Sequence, residues 1–110
     1  MSAIRYQECR ACGDRWALPR GLCRRCGSDD LAWQDSGGAG RVYSLTTQHR
    51  APSRDFPVAP PWRIGLVDLD EGPRVMCHLD EAAAIGSRVR GGMREFAGAQ
   101  VPWFAVAEEG

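Results

Sequence analysis

The chain contains no lysine, because all 14 of its basic residues are arginine. That excludes Schiff-base and amine catalysis by its own side chains, and it leaves a cation whose planar fork meets phosphate or carboxylate at two points. An excess of one charge sign is also missing. The arginines are matched by 14 acidic residues, so the chain lacks the unopposed cations from which binding along a phosphate backbone draws its free energy. No apolar run approaches the roughly 20 residues of a membrane helix. No secretory leader is read at the start of the chain, and a cytoplasmic protein is expected. What is present, 110 residues of which 44% are hydrophobic and 25% charged, fits one compact unit or two small ones.

The five cysteines carry the clearest pattern. Two CxxCG turns, Cys9-Arg10-Ala11-Cys12-Gly13 and Cys23-Arg24-Arg25-Cys26-Gly27, are separated by ten residues between the inner cysteines. Facing each other across a short hairpin, they offer four thiolates to one tetrahedral ion, and zinc accepts that geometry most readily. Glycine after each pair permits the backbone dihedrals of so tight a turn. Disulfides are not expected, since two-residue spacing is too tight for a framework staple. A thioredoxin-like site would need a βαβ background that is absent. Iron in a rubredoxin-like site uses the same four thiolates, so ligand type alone leaves both metals open. A closed four-cysteine site has no free position for substrate, which makes the metal scaffold rather than catalyst.

Around these turns, Arg15 to Leu18 reads as a short strand, Pro19-Arg20-Gly21 as the turn back, and Leu31 to Asp35 as the last strand of a metal module over residues 1–35. Residues 1–8 form a lead-in with little periodicity, in which Ile4 and Tyr6 are expected to cover the ribbon. A unit of that size cannot bury enough apolar surface alone, and metal binding worth roughly 10–16 kcal/mol supplies the deficit. Residues 36–40, Ser36-Gly37-Gly38-Ala39-Gly40, read as a flexible connection.

Residues 41–110 then read as strand after strand. Gly40 to Arg50 is rich in β-branched and aromatic residues, with Tyr43 and Leu45 on one face. Ala51 to Pro61 holds four of the seven prolines and reads as a loop. Trp62 to Asp70, Arg74 to Leu79, Ser87 to Phe96 and Val101 to Ala107 are the further strands, with one helical turn expected over Asp80 to Ala84. Five antiparallel strands in so short a stretch close into a small barrel, and the OB-fold is the commonest such solution. The fold class is therefore mainly β: a zinc ribbon followed by a five-stranded OB-fold barrel.

Taken together, the two cysteine turns, Gly40-Arg41-Val42-Tyr43-Ser44, His49-Arg50-Ala51-Pro52, Ile64 to Arg74 with its Glu71-Gly72-Pro73 turn, and Ile85-Gly86 resemble the family called domain of unknown function 35. That family joins a rubredoxin-like zinc ribbon to an OB-fold associated with acyl-CoA metabolism. The resemblance implies a non-catalytic accessory subunit in a hetero-oligomer, beside a thiolase-like or aldolase enzyme or a MaoC-type hydratase, with catalytic residues supplied by the partner and acyl-CoA as the ligand. Two departures from the family pattern stand out. Only eight residues precede Cys9, where many relatives carry a helix, and Gly91-Gly92 interrupts the fourth strand, pointing to a bulge or a close backbone approach.

For coenzyme A, the natural phosphate partners are Arg41, Arg50, Arg54 and Arg63, with Tyr43 or Trp62 to stack on adenine. The plainer reading is that these arginines sit on a balanced, solvated surface. His49 titrates in the right range for an acid or base but also suits a strand end. Asp68, Asp70 and Glu71 fit a solvated hairpin turn better than a metal cluster. Cys77 reads as a small buried hydrophobe, because on a strand it faces away from adjacent His78. Trp16, Trp33, Trp62 and Trp103 are many large aromatics for so small a chain, and some must be exposed as a partner surface. The competing function is a single-stranded nucleic-acid-binding OB module, against which the interleaved charge argues.

Overall fold

The computed structural model describes residues 3–50, 53–58 and 60–107. Ala51, Pro52 and Ala59 of the proline-rich loop and the extreme termini lie outside the described residues. Eight strands, and no helix, are found among the described residues. Three of them, β1 (Arg5–Cys9), β2 (Arg15–Trp16) and β3 (Leu31–Asp35), form a small antiparallel sheet in the order β2-β1-β3. The lead-in is thus the central strand of the ribbon. Tyr6 and Gln7 are buried next to each other in sequence, on opposite faces of the strand, so apolar periodicity could not reveal it.

The remaining strands, β4 (Ala39–Gln48), β5 (Trp62–Leu69), β6 (Arg74–Leu79), β7 (Arg88–Phe96) and β8 (Ala99–Val106), close into a barrel in the order β4-β5-β6-β8-β7. Every neighbouring pair is antiparallel except β6 and β8, which run parallel through His78 opposite Trp103 and Leu79 opposite Phe104. This is OB-fold topology. Alternation builds the interior: Val67 and Leu69 of β5, Val75, Cys77 and Leu79 of β6, Val89 of β7 and Phe104 of β8 point inward and are buried. Their strand neighbours Leu66, Met76, His78 and Trp103 are left on the outer side.

Several details depart from the sequence reading. Tyr43 and Leu45 do not share a face, because a bulge between Val42 and Ser44 inserts an extra residue against β5. Tyr43 is that residue and is turned outward, while Leu45 packs against the core. Asp80 to Ala84 makes turns rather than a helical turn. There the Arg63 guanidinium takes the carbonyls of Asp80, Glu81 and Ala83, and buried Ala83 joins the barrel core, whereas a five-residue helix has too few internal bonds to compete. Ile4 does not cover the ribbon. It is 2% exposed and belongs to the barrel's core cluster, held there as its carbonyl accepts from the Ser36 amide at 2.7 Å.

The stretch read as a flexible connection is hydrogen-bonded along its length. Glu71 accepts from the Ser36 hydroxyl at 2.9 Å and the Gly37 amide at 2.8 Å, and Gly38 accepts from the Gly91 amide. Arg15 of the ribbon donates to the Glu71 carbonyl at 2.9 Å. Gly91 explains the interrupted fourth strand: β7 pairs with β8 without a register shift, and a Cβ at Gly91 would overlap the Trp103 carbonyl oxygen. The glycine marks a close backbone approach, not a bulge. No helix is long and apolar enough to cross a membrane among the described residues.

Candidate functional site

The two cysteine turns meet as their spacing requires. Each closes on a backbone bond from the glycine amide to the first cysteine carbonyl, Gly13 to Cys9 at 2.8 Å and Gly27 to Cys23 at 3.0 Å. Both glycines have positive φ, 82° and 76°, a region closed to most side chains. The four Sγ atoms of Cys9, Cys12, Cys23 and Cys26 lie within 4.8 Å of one another, with Cys9 to Cys26 at 3.5 Å and Cys12 to Cys23 at 3.6 Å. Metal–sulfur bonds of about 2.3 Å give a tetrahedron with edges of about 3.8 Å, so the sulfurs already fit one metal ion.

Of the four thiols, Cys23 is the one drawn toward the thiolate, while, against backbone hydrogen bonds that lower them, burial and hydrogen bonding within the cluster push Cys12 and Cys26 up. The amides of Arg25 and Cys26 point at Cys23 Sγ at 3.3 and 3.4 Å. Burial pushes the Cys23 thiol up, yet these amides and the neighbouring thiols bring it down to about 6, leaving one thiolate ready near neutrality. Arg10, Arg24 and Arg25 sit within the turns, and Arg10 pairs with Asp30 at 3.8 Å. Arg24 is fixed by Asp14 at 2.9 Å. Cys9 and Cys23 are buried, whereas Cys12 and Cys26 are exposed.

The residues read as coenzyme A partners do not gather at one point. Arg41 is exposed on β4 opposite Asp68, and donates to the Gly86 carbonyl at 2.7 Å. Arg63 lies opposite Thr47 at the far end of the same ladder, roughly 20 Å away at strand rise, and its guanidinium is taken up by the three carbonyls described above. Arg50 and Arg54 are exposed in and beside the proline-rich loop. Tyr43 lies under the Arg74 guanidinium, 3.5 Å from the ring centroid. Arg74 itself grips Asp68 through two bonds of 2.6 and 3.2 Å.

The acidic hairpin is fully engaged without metal: Asp68 with Arg74, Asp70 with Arg88 at 2.7 Å, and Glu71 with the Ser36–Gly37 segment. His49 is exposed beyond the end of β4. Cys77 lies inside the barrel, and burial pushes its thiol up to about 12, so it is protonated at neutral pH. His78 faces the other way.

Sequence reasoning missed the surroundings of His78. Its ring stacks on Trp103 at 5.1 Å and meets Phe96 at 4.1 Å. Trp62 contacts Phe96 at 5.3 Å and Phe56 at 5.4 Å. Burial lowers the His78 pKa, and its Nδ1 has no hydrogen-bond partner among the described residues. This partly exposed aromatic patch lies on the outside of β5, β6 and β8, between the β4–β5 and β7–β8 loops, where OB-folds commonly bind ligands. The available signal was period 2: Trp62, His78 and Trp103 occupy outward positions of their strands.

A cysteine ribbon packed on a five-stranded OB barrel defines the class of protein. The family model for the ChsH2 C-terminal OB-fold domain matches residues 33–94. A chain of the Ltp2-ChsH2(DUF35) aldolase is 30% identical, with a TM-score of 0.79, over 96% of this chain and 86% of that one. A protein of unknown function from the DUF35 family of Sulfolobus solfataricus is 18% identical, with a TM-score of 0.61, over 96% and 76% of the two chains, and shares the fold. The chain belongs to the DUF35 family, as the resemblance implied.

Proposed function

We propose that this chain is a non-catalytic accessory subunit of a cytoplasmic acyl-CoA-processing complex. It docks on an aldolase or thiolase-like enzyme, with a MaoC-type hydratase as the other partner class, and contributes to acyl-CoA binding and complex assembly. The observation that carries this reading is the 30% identity, across nearly the whole of both chains, to a component of the Ltp2-ChsH2(DUF35) aldolase. Zinc is the metal that the four cysteines hold in this reading. Its chemistry there is structural, since four thiolates leave no coordination position for substrate. Cys77 is buried and protonated and His78 faces the other side of β6, so these two do not pair as nucleophile and base.

The reading is tested by co-expressing the full chain with an aldolase or thiolase-like enzyme from the same source. Complex mass is measured by light scattering, and acyl-CoA turnover is compared with and without this subunit. A stable hetero-oligomer with altered turnover is expected. A chain that forms no complex with any acyl-CoA enzyme and copurifies with nucleic acid overturns it. That second outcome has one observation in its favour, the aromatic patch around His78 on the usual OB ligand face. Among the described residues of that patch only Arg94, 4.8 Å from the Trp103 ring centroid, adds a cation–π contact, short of the cationic stripe that a nucleic-acid strand requires.

A further inference from the structure

Where ribbon and barrel meet, two open grooves run into each other. One, of about 610 Å³, is lined by Arg15, Arg20, Arg24 and Arg74 together with Asp68. The other, of about 790 Å³, is lined largely by apolar side chains, among them Leu18, Trp33 and Met76. Ala17, Leu18 and Arg74 line both, so the two are halves of one continuous surface. Each lies in the size range of small-molecule sites.

Neither half alone selects an occupant, because exposed arginines need no ligand and an apolar groove accepts many covers. Their continuity does. An occupant of both halves must be anionic at one end and apolar at the other. Leu18 is 80% exposed and Met76 is 70% exposed, and with Trp33 they form a contiguous apolar wall of the groove. On the cationic side, Arg15, Arg24 and Arg74 each hold one carboxylate, from Glu8, Asp14 and Asp68, through only part of their five N–H donors. Arg20 makes no ion pair among the described residues; its guanidinium donates a 3.3 Å bond to the Leu22 carbonyl. The fold places it deliberately: buried Gln7 accepts from the Arg20 amide and donates to the Arg20 carbonyl at 3.1 Å. Tyr43, outside both linings, lies under Arg74 and stacks on its guanidinium.

We propose that this ribbon–barrel junction is the acyl-CoA site of the chain, with coenzyme A phosphates on Arg20 and Arg74 and the acyl chain over Leu18 and Met76. The proposal rests on the acyl-CoA reading above and gives it a location. Arg41, Arg50, Arg54 and Arg63 fall outside the site, and the ribbon becomes one of its walls.

The test is calorimetric titration of the zinc-loaded full chain, alone and in its enzyme complex, with octanoyl-CoA, acetyl-CoA and octanoyl-pantetheine. Arg20→Ala and Met76→Ser alter exposed side chains and leave the fold intact. Arg20→Ala is expected to weaken octanoyl-CoA about tenfold while leaving octanoyl-pantetheine unchanged. Met76→Ser is expected to reduce the preference for octanoyl-CoA over acetyl-CoA by about the same factor. Octanoyl-CoA binding that survives both substitutions unchanged overturns the location while leaving the acyl-CoA reading standing. An absence of binding by the unmodified chain, both alone and in the complex, overturns both.

Discussion

Replacing Gln7 with methionine isolates how the ribbon is held. The Gln7 side chain is 6% exposed, and its carboxamide makes three bonds: it accepts from the Trp16 indole at 2.8 Å and from the Arg20 amide, and it donates to the Arg20 carbonyl. Methionine has nearly the same length and preserves the packing, so the loss is polar. Trp16 is itself 5% exposed, and an indole N–H left there without an acceptor costs about 1–3 kcal/mol. The two Arg20 groups lie in a turn that water reaches, and they add less, about 0.5 kcal/mol each. The total is about 2–4 kcal/mol. Because folding of so small a unit is coupled to metal binding, that energy surfaces as metal affinity weakened about 30- to 900-fold. Competition against a chromophoric chelator at fixed pH measures it directly. An affinity within about threefold of the unmodified chain would refute the coupling and show that the cysteine turns fold independently of β1.

Stripping metal from the four cysteines is expected to destabilise the barrel as well as the ribbon, because Ile4 of the lead-in is part of the barrel core. Comparing urea midpoints for the Trp103 region before and after chelation checks this, and an unchanged midpoint contradicts it. Gly91→Ala is expected to prevent folding or to lower the thermal midpoint by well over 10 °C, since the added methyl collides with backbone rather than with a flexible side chain. Although burial opposes it, the Gly37 amide and Ser36 hydroxyl hold the Glu71 carboxyl below its ordinary value. Its contribution to stability is therefore complete above about pH 4.3, the unfolded value, and is lost as pH falls through the lower folded value. Glu71→Gln should flatten that acid limb of the stability profile. His78 is depressed by burial, so the unfolded chain takes up its proton first, and stability is expected to fall as pH drops below about 6.5. His78→Phe should remove that slope.

The cysteine cluster and the strand sequence of the barrel were legible in the chain because each rests on short-range chemistry. Two CxxCG turns define their own geometry, and inward positions such as Val75, Cys77 and Leu79 repeat every second residue. The lead-in strand was not legible, since buried Tyr6 and Gln7 adjoin in sequence, and a polar glutamine gives no apolar signal. Nor was the bulge at Tyr43, which breaks the alternation from which strand faces are read.

By itself, then, the sequence determined a cysteine ribbon, a five-stranded barrel and a family. Only the tertiary structure decided how they join. It buried Ile4 in the barrel rather than in the ribbon, tied Glu71 to the glycine stretch, gathered His78 with four aromatic rings, and laid an arginine-lined groove against an apolar one. Those features come from residues tens of positions apart, brought together by the register of β5 against β6 and by packing between the two units, and no local pattern in a chain encodes distances across such an interface.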